Sequence, residues 1–138
     1  MPAKDQYHEA VRAALLRDGW TITHDPLVLR YHMRDVFIDL GAERLIAAEK
    51  DAFKIAVEVK SFIADSPLAA LEQAVGQYVV YHDVMEATGT DRTLFLAVPE
   101  FASAGILSEP IGELLVARHR IPIMVFDPDR EEVVSWKR

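Results

Sequence analysis

A strand-like segment at residues 54–60 (KIAVEVK) limits the possible folds of this chain more than any other feature. Side chains on a strand point alternately to opposite faces, so Val57 and Val59 share one face, and Glu58 and Lys60 share the other. Apart from its charged residues the segment is apolar, which is typical of a strand buried inside a sheet. Burying a charge costs free energy unless the charge is paired or bound to a metal. The segment therefore predicts an interior strand with a charged site at its carboxyl end.

The first half of the chain predicts one helix followed by strands. Apolar residues at helical spacing indicate a helix over residues 5–17, with Asp5 as its N-cap. The predicted strands, of which the last two form a hairpin, are residues 20–23, 36–40, 45–49 and 54–60.

The second half predicts helices that alternate with strands. Ser66-Pro67 is a strong helix start, because proline fits the first helical position, and Gly89 is the predicted stop. The remaining predicted elements are a strand at 94–98, a helix at 110–119, a strand at 121–126 and an edge strand at 131–136. Meandering strands followed by α/β crossovers predict an α/β fold with a mixed β-sheet flanked by helices, in the order αβββαβαβ.

The composition indicates one acidic domain. The 138 residues are enough for one continuous core, so we expect a single domain over residues 1–138. Hydrophobic residues make up 51% of the chain, yet no apolar run is long enough to cross a bilayer, and we expect no secretory signal. The 0 cysteines exclude disulfides and thiolate metal sites and fit a cytoplasmic location. The net charge of -7 argues against strong nonspecific DNA binding, which needs a basic face.

A second carboxylate interrupts an apolar run shortly before the 54–60 segment. Asp39 and Glu58 on adjacent strands can converge on one hard cation such as Mg²⁺, which prefers oxygen ligands. Asp39 also fits a turn aspartate before a glycine, Glu58 also fits a simple ion pair with Lys60, and Asp35 competes for the metal-binding role. We favour Asp39 because its neighbours are more apolar, which makes an uncompensated charge there more costly.

These residues resemble the PD-(D/E)xK superfamily of metal-dependent nucleases. The family pattern is an aspartate on one strand and Glu-x-Lys on the next, matched here by Asp39 and by Glu58-Val59-Lys60. Many members also place a glutamate on the first helix near the metals, and Glu9 matches that position. The chain departs from the pattern in having no proline before Asp39.

The next helix extends this resemblance. RecB-type members carry Gln-x-x-x-Tyr there, which Gln77 and Tyr81 match one turn apart. The resemblance implies that Mg²⁺ or Mn²⁺ is held by the two strand carboxylates, by the carbonyl of Val59 and by Glu9. It also implies that Lys60 orients water or stabilises the transition state, that the glutamine and tyrosine position the phosphate or the lysine, and that a phosphodiester is hydrolysed.

A closer resemblance, which covers nearly the whole chain, is to the XisH family of fdxN-element excision controlling factors, a largely cyanobacterial family. The matching segments are AKD at residues 3–5, DGWTITHDPL at 18–27, IDLGAE at 38–43, VEVKSF at 57–62 and GQY at 76–78. The resemblance implies a bacterial protein that acts in, or descends from, site-specific DNA rearrangement, often with a small partner called XisI. In that system the recombinase is a separate protein, so the family name assigns no reaction.

Two functions follow from these observations, and the sequence leaves the choice between them open. The first is a metal-dependent phosphodiesterase with DNA as its expected substrate. The second is a catalytically silent regulatory module that acts through an XisI-like partner, which the acidic charge favours. A homodimer is also expected, because twofold assemblies are common. A local basic track for DNA would come from Arg12, Arg17, Arg30, Arg34, Lys50 and Lys54.

Overall fold

The computed structural model describes residues 4–45 and 52–138. Within these ranges the elements are α1 (His8–Arg17), β1 (Thr21–His24), β2 (Leu27–Tyr31), β3 (Arg34–Ile38), β4 (Leu40–Arg44), β5 (Phe53–Val59), α2 (Pro67–Ala87), β6 (Thr93–Pro99), α3 (Glu100–Ala104), a one-turn 3₁₀ helix (Ile106–Ser108), α4 (Pro110–His119), β7 (Ile123–Asp127) and β8 (Glu132–Lys137). No helix among these described residues is long and apolar enough to cross a membrane.

Six of the strands form one mixed sheet in the order β1-β4-β5-β6-β7-β8. The pairs β1–β4, β4–β5 and β7–β8 are antiparallel, whereas β5–β6 and β6–β7 are parallel. Helix α2 connects β5 to β6, and α3 and α4 lie between β6 and β7, as parallel pairing requires. Strand β5 lies inside the sheet, as its apolar sequence predicts.

Hydrophobic cores cover both faces of this sheet. On one face, α1 packs Val11 against a core that includes Val57 of β5. On the other face, α2 packs Leu71 and Tyr78. Because adjacent strand residues point to opposite faces, Glu58 points toward the α2 side.

Strands β2 and β3 form a separate two-stranded hairpin, which we call the hairpin arm (residues 27–38). At its root, Leu27 and Ile38 are paired across the strands and buried in the core on the α2 side. At its other end, a two-residue turn of His32 and Met33 joins the strands. Residues 30–35 are all exposed. The hairpin arm is therefore anchored at its root and open at its tip.

The prediction of an α/β fold with a mixed sheet flanked by helices is confirmed. The long helix predicted from Ser66-Pro67 is α2, and the Ser66 side chain caps it by accepting a hydrogen bond from the Ala69 N–H at 3.1 Å. Gly89 follows the helix with φ of +66°, a conformation that favours glycine. The predicted helix at 110–119 is α4.

The predicted N-cap of the first helix was wrong. Helix α1 begins at His8, and Tyr7 holds the N-cap position without a side-chain hydrogen bond. The Asp5 carboxylate instead accepts hydrogen bonds from the Tyr7 N–H at 2.8 Å and the Ser61 N–H at 3.1 Å. Asp5 therefore links the start of α1 to the end of β5.

The strands before β5 were also predicted incompletely. The predicted strand at 36–40 is interrupted at Asp39, because β3 ends at Ile38 and β4 begins at Leu40. The hairpin partner of β5 is β4, and residues 46–49 of the predicted partner strand lie outside the described residues. Strand β2 and helix α3 were not predicted, and the predicted order αβββαβαβ has three strands before the long helix where the described residues have five.

We expect Gly112→Ala to destabilise the fold by about 1–3 kcal/mol, because overpacking against atoms that cannot move is costly. A β-carbon at this position in α4 would clash with the carbonyl oxygen of Ile106 and would lie 2.7 Å from the Cα of Leu107, and both are backbone atoms. The matched control is Gly76→Ala in α2, where a β-carbon would meet nothing within 4 Å. Thermal denaturation should show a lower midpoint for the first variant only, and equal midpoints would contradict the close packing of α4.

Candidate metal centre

Asp39 and Glu58 meet where β3, β4 and β5 come together. The Asp39 N–H donates to Glu58 Oε1 at 3.3 Å, and the Val59 N–H donates to Asp39 Oδ2 at 2.8 Å. The chain bends at Asp39 between Ile38 and Leu40, which are buried in opposite cores. The backbone at Asp39 therefore holds the Glu58 carboxyl group, and the backbone next to Glu58 holds the Asp39 carboxyl group.

Burial makes both carboxyl groups difficult to ionise. Glu58 is 7% exposed, and burial together with the charge of Asp39 raises the pKa of Glu58 to about 8. Burial also raises the pKa of Asp39, although the hydrogen bond from the Val59 N–H acts in the opposite direction. The charge of Lys60 lowers the pKa of Glu58 without offsetting the burial. Too little positive charge therefore lies around the pair for both carboxyl groups to be ionised at neutral pH.

Lys60 and Tyr81 are two predicted site residues that lie near this pair. Lys60 follows β5 directly, and its backbone N–H donates to the Ala97 carbonyl at 2.9 Å, which fixes the start of its side chain. Tyr81 is on α2, and burial with the charges of Glu58 and Asp39 raises its pKa to about 12. The tyrosine hydroxyl therefore stays protonated and can donate a hydrogen bond at the site.

Gln77, one turn before Tyr81, has an unsatisfied polar atom. Its Oε1 is buried and lacks a hydrogen-bond partner within residues 4–45 and 52–138. A buried acceptor without a donor costs free energy, which a ligand or a cation-bound group could recover. The two carboxyl groups of Asp39 and Glu58 are the oxygen donors that a hard divalent cation prefers. The residues present therefore fit Mg²⁺ or Mn²⁺.

Two of the sequence candidates have more exposed side chains. Glu9 is exposed on α1, where its carboxylate lies 3.6 Å from the Lys4 ammonium, and its role as a metal ligand stays a prediction. Asp35 is on the exposed part of the hairpin arm, where its carboxylate lies 3.3 Å from Arg30. Asp39 is thus the aspartate that lies beside Glu58. Val59 contributes its N–H to the site, and a metal-binding role for its carbonyl stays a prediction.

Sequence reasoning missed two residues that act on Asp39. The charge of Asp5 raises the pKa of Asp39, and the charge of His8 lowers it. His8 is buried, and its Nε2 lies 2.7 Å from Asp25 Oδ1. Nothing in the sequence around His8 indicates that its side chain lies near Asp39. From the sequence alone Asp5 fits an N-cap of the helix, so its effect on Asp39 was not predicted either.

A small cavity lies between the loop that follows β5 and the first turns of α2. It has a volume of about 90 Å³, and Lys60 and Asp5 both lie in its wall. The loop passes through Phe62, whose φ of +56° is uncommon for a residue with a side chain. The cavity is large enough for water or a small anionic group beside Lys60.

Comparison with known proteins agrees with the sequence resemblance. The family model described as XisH protein matches residues 1–134. The structure of an XisH family protein from Nostoc punctiforme PCC 73102 has a TM-score of 0.87 and 30% identity, over 97% of this chain and 100% of that chain. An fdxN element excision controlling factor protein from Anabaena variabilis has a TM-score of 0.86 and 30% identity, over 98% of this chain and 100% of that chain. No curated protein sequence matches significantly. The chain therefore belongs to the XisH protein family.

Proposed function

We propose that the chain is a Mg²⁺- or Mn²⁺-dependent DNA phosphodiesterase with a PD-(D/E)xK-type site. The observation that carries the proposal is the buried pair of Asp39 and Glu58, each fixed by the other's backbone and each with a raised pKa. Paired carboxyl groups with pKa values strongly perturbed by burial and by each other are typical of functional sites. A purely structural role gives no reason to bury two acids together.

The chain's own residues supply defined parts of such a reaction. Asp39 and Glu58 would hold the cation, and binding of a divalent cation there would supply Lewis acidity toward the phosphate and lower the pKa of water. Lys60, the nearest cation whose charge acts on Glu58, would stabilise negative charge that develops on the phosphate. Tyr81 would donate a hydrogen bond to a phosphate oxygen, and Gln77 would accept one from the attacking water.

DNA is the proposed substrate because of the relatives. One structural neighbour is an fdxN element excision controlling factor protein, which links this family to excision of a DNA element. We propose the same setting for this chain, inside a bacterial cell. Hydrolysis of one phosphodiester would nick the DNA.

Asp39→Asn should abolish nicking of supercoiled plasmid in the presence of Mg²⁺ or Mn²⁺. The amide is nearly isosteric with the carboxylate but carries no charge for the cation. Asp129→Asn is the matched control, because this aspartate is exposed in the turn between β7 and β8, and it should nick at the parent rate. Nicking by Asp39→Asn at the parent rate, or no nicking by the parent protein, would overturn the proposed reaction.

A second candidate is a regulatory module that acts through a small XisI-like protein. The observation that favours it is the pairing of two cations from the expected basic track. Arg12 lies 3.1 Å from Asp25, and Arg17 lies 4.0 Å from Glu131. These cations are less available to phosphates than the sequence suggests. Co-purification of a stoichiometric small protein, unaffected by Glu58→Ala, would support this role, and a protein purified without such a partner would count against it.

A further inference from the structure

Within the described residues, the tip of the hairpin arm is a run of exposed side chains in an acidic protein. Residues 30–34 (RYHMR) carry two arginines and a histidine and no acidic residue, whereas the whole chain has a net charge of -7. Met33 is 89% exposed and Tyr31 is 43% exposed. Together with Val28, three exposed large apolar side chains lie on this one short element, and grouped exposed apolar side chains are typical of interaction sites.

The turn at this tip is not optimised for stability alone. His32 has a φ of +55°, a left-handed conformation in which side chains are strained and which glycine adopts freely. Two-residue hairpin turns strongly favour Asn-Gly or Asp-Gly, yet the chain has His32 and Met33 there. Strain of this kind is often retained where the side chains themselves are used.

The root of the hairpin arm is directly connected to the carboxylate pair. Ile38, the last residue of β3, immediately precedes Asp39. The five residues of β3, at roughly 3.3 Å each, place the tip about 17 Å from Asp39 along the strand. This length corresponds to about five base pairs of B-DNA, which rise roughly 3.4 Å each.

We propose that the hairpin arm is the surface that holds duplex DNA against the Asp39–Glu58 site. Its tip would lie in a groove of the DNA, and its arginines would contact the DNA phosphates or base edges. This inference rests on the proposed function. A two-stranded β-ribbon fits the major groove, and arginine is the side chain that most often contacts guanine edges and phosphates there. Met33 is the apolar side chain that would contact the bases.

The ion pair of Arg30 with Asp35 does not oppose this role. The two atoms lie 3.3 Å apart, and the arginine side chain is 66% exposed, so solvent screens the pair. A phosphate can replace such a partner readily. Arg34 is exposed beside it, opposite Tyr31 in the strand pairing.

The test is binding of the full chain to a fluorescently labelled DNA duplex, measured by anisotropy over a range of salt concentrations without divalent cations. Arg34→Ala and Arg30→Ala should each weaken binding roughly tenfold. Each should also reduce the slope of log affinity against log salt concentration by about one, because one fewer counterion is released. Met33→Ala should weaken binding without changing the salt dependence. The matched control is Arg130→Ala, since Arg130 is an exposed arginine in the turn between β7 and β8, outside the hairpin arm and 4.0 Å from Asp127, and it should bind like the parent.

Three results would overturn the inference. Hairpin-arm variants that bind DNA like the parent protein would exclude the arm as the DNA-binding surface. If these variants instead lost binding to an associated protein, the arm would be assigned to that protein partner. An equal loss in Arg130→Ala would show that only net charge matters. No DNA binding by the parent would overturn this inference and the DNA substrate, whereas Mn²⁺ binding by the same preparation would show that the metal centre itself stands.

Discussion

Lys60→Met should lower the rate of DNA nicking by roughly 10²- to 10³-fold, which is the usual cost of removing one group that stabilises charge in the transition state. The methionine keeps the length and apolar stem of the side chain but removes the ammonium. The backbone N–H of residue 60 still donates to Ala97, so the position of the strand end should not change. The rate should be measured at saturating Mn²⁺ so that chemistry rather than binding is compared.

The charge of Lys60 also affects metal binding, and the two effects can be separated. Because Lys60 lowers the pKa of Glu58, its loss should leave Glu58 more often protonated near neutral pH and weaken Mn²⁺ binding there. Above pH 8 this difference should shrink, while the loss of nicking should persist. Lys137→Met is the control, since Lys137 is an exposed lysine on β8 outside the expected basic track. Parent-like nicking by Lys60→Met, or an equal loss in Lys137→Met, would contradict the assigned role.

The metal-free protein should become less stable as the pH rises from about 4.5 to about 8. The pKa of Glu58 is raised from 4.5 to about 8 in the folded protein, so in this interval the folded state binds a proton that the unfolded state has released. When the folded state binds more protons, raising the pH favours unfolding. A shift of this size corresponds to roughly 5 kcal/mol across the interval, with no further loss from Glu58 above it.

Glu58→Gln should remove most of this pH dependence and should be more stable than the parent protein at pH 8. Urea denaturation with EDTA at several pH values measures the effect. Because the pKa of Asp39 is also raised, a smaller decline should remain in the variant. Glu132→Gln, which changes an exposed carboxyl on β8, should keep the parent profile. A parent profile that is flat or rises over this interval would show that Glu58 is not held protonated by the fold.

The elements with strong local signals were predictable from the sequence. Helix α2 is marked by a serine and a proline at its start and by a glycine after its end. Strand β5 is marked by its apolar run. Strand β2 of the hairpin arm was missed because it is short and three of its five residues are exposed, so no buried apolar alternation marks it. The break at Asp39 depends on Ile38 and Leu40 entering opposite cores, which is a tertiary effect.

The candidate site was partly predictable, because two of its residues also carry a local signal in the sequence. Asp39 and Glu58 are charges in apolar strands, and the cost of burying them is visible in the sequence. Glu9 was favoured by family pattern and helical position, but its side chain is exposed and its role as a metal ligand stays a prediction. His8 and Asp5 act on Asp39 through the packing of α1 and the loop after β5. Such contacts between distant segments leave no periodic signal in one sequence.

A calorimetric titration of the metal-free protein with Mn²⁺, beside Glu58→Gln, tests the metal centre most directly because it requires no knowledge of the substrate. The account predicts binding in the parent protein at pH 8, accompanied by proton release as Glu58 ionises, and no measurable binding in the variant. Absence of binding in the parent, or equal affinity in the variant, would contradict the claim that Asp39 and Glu58 form a metal centre.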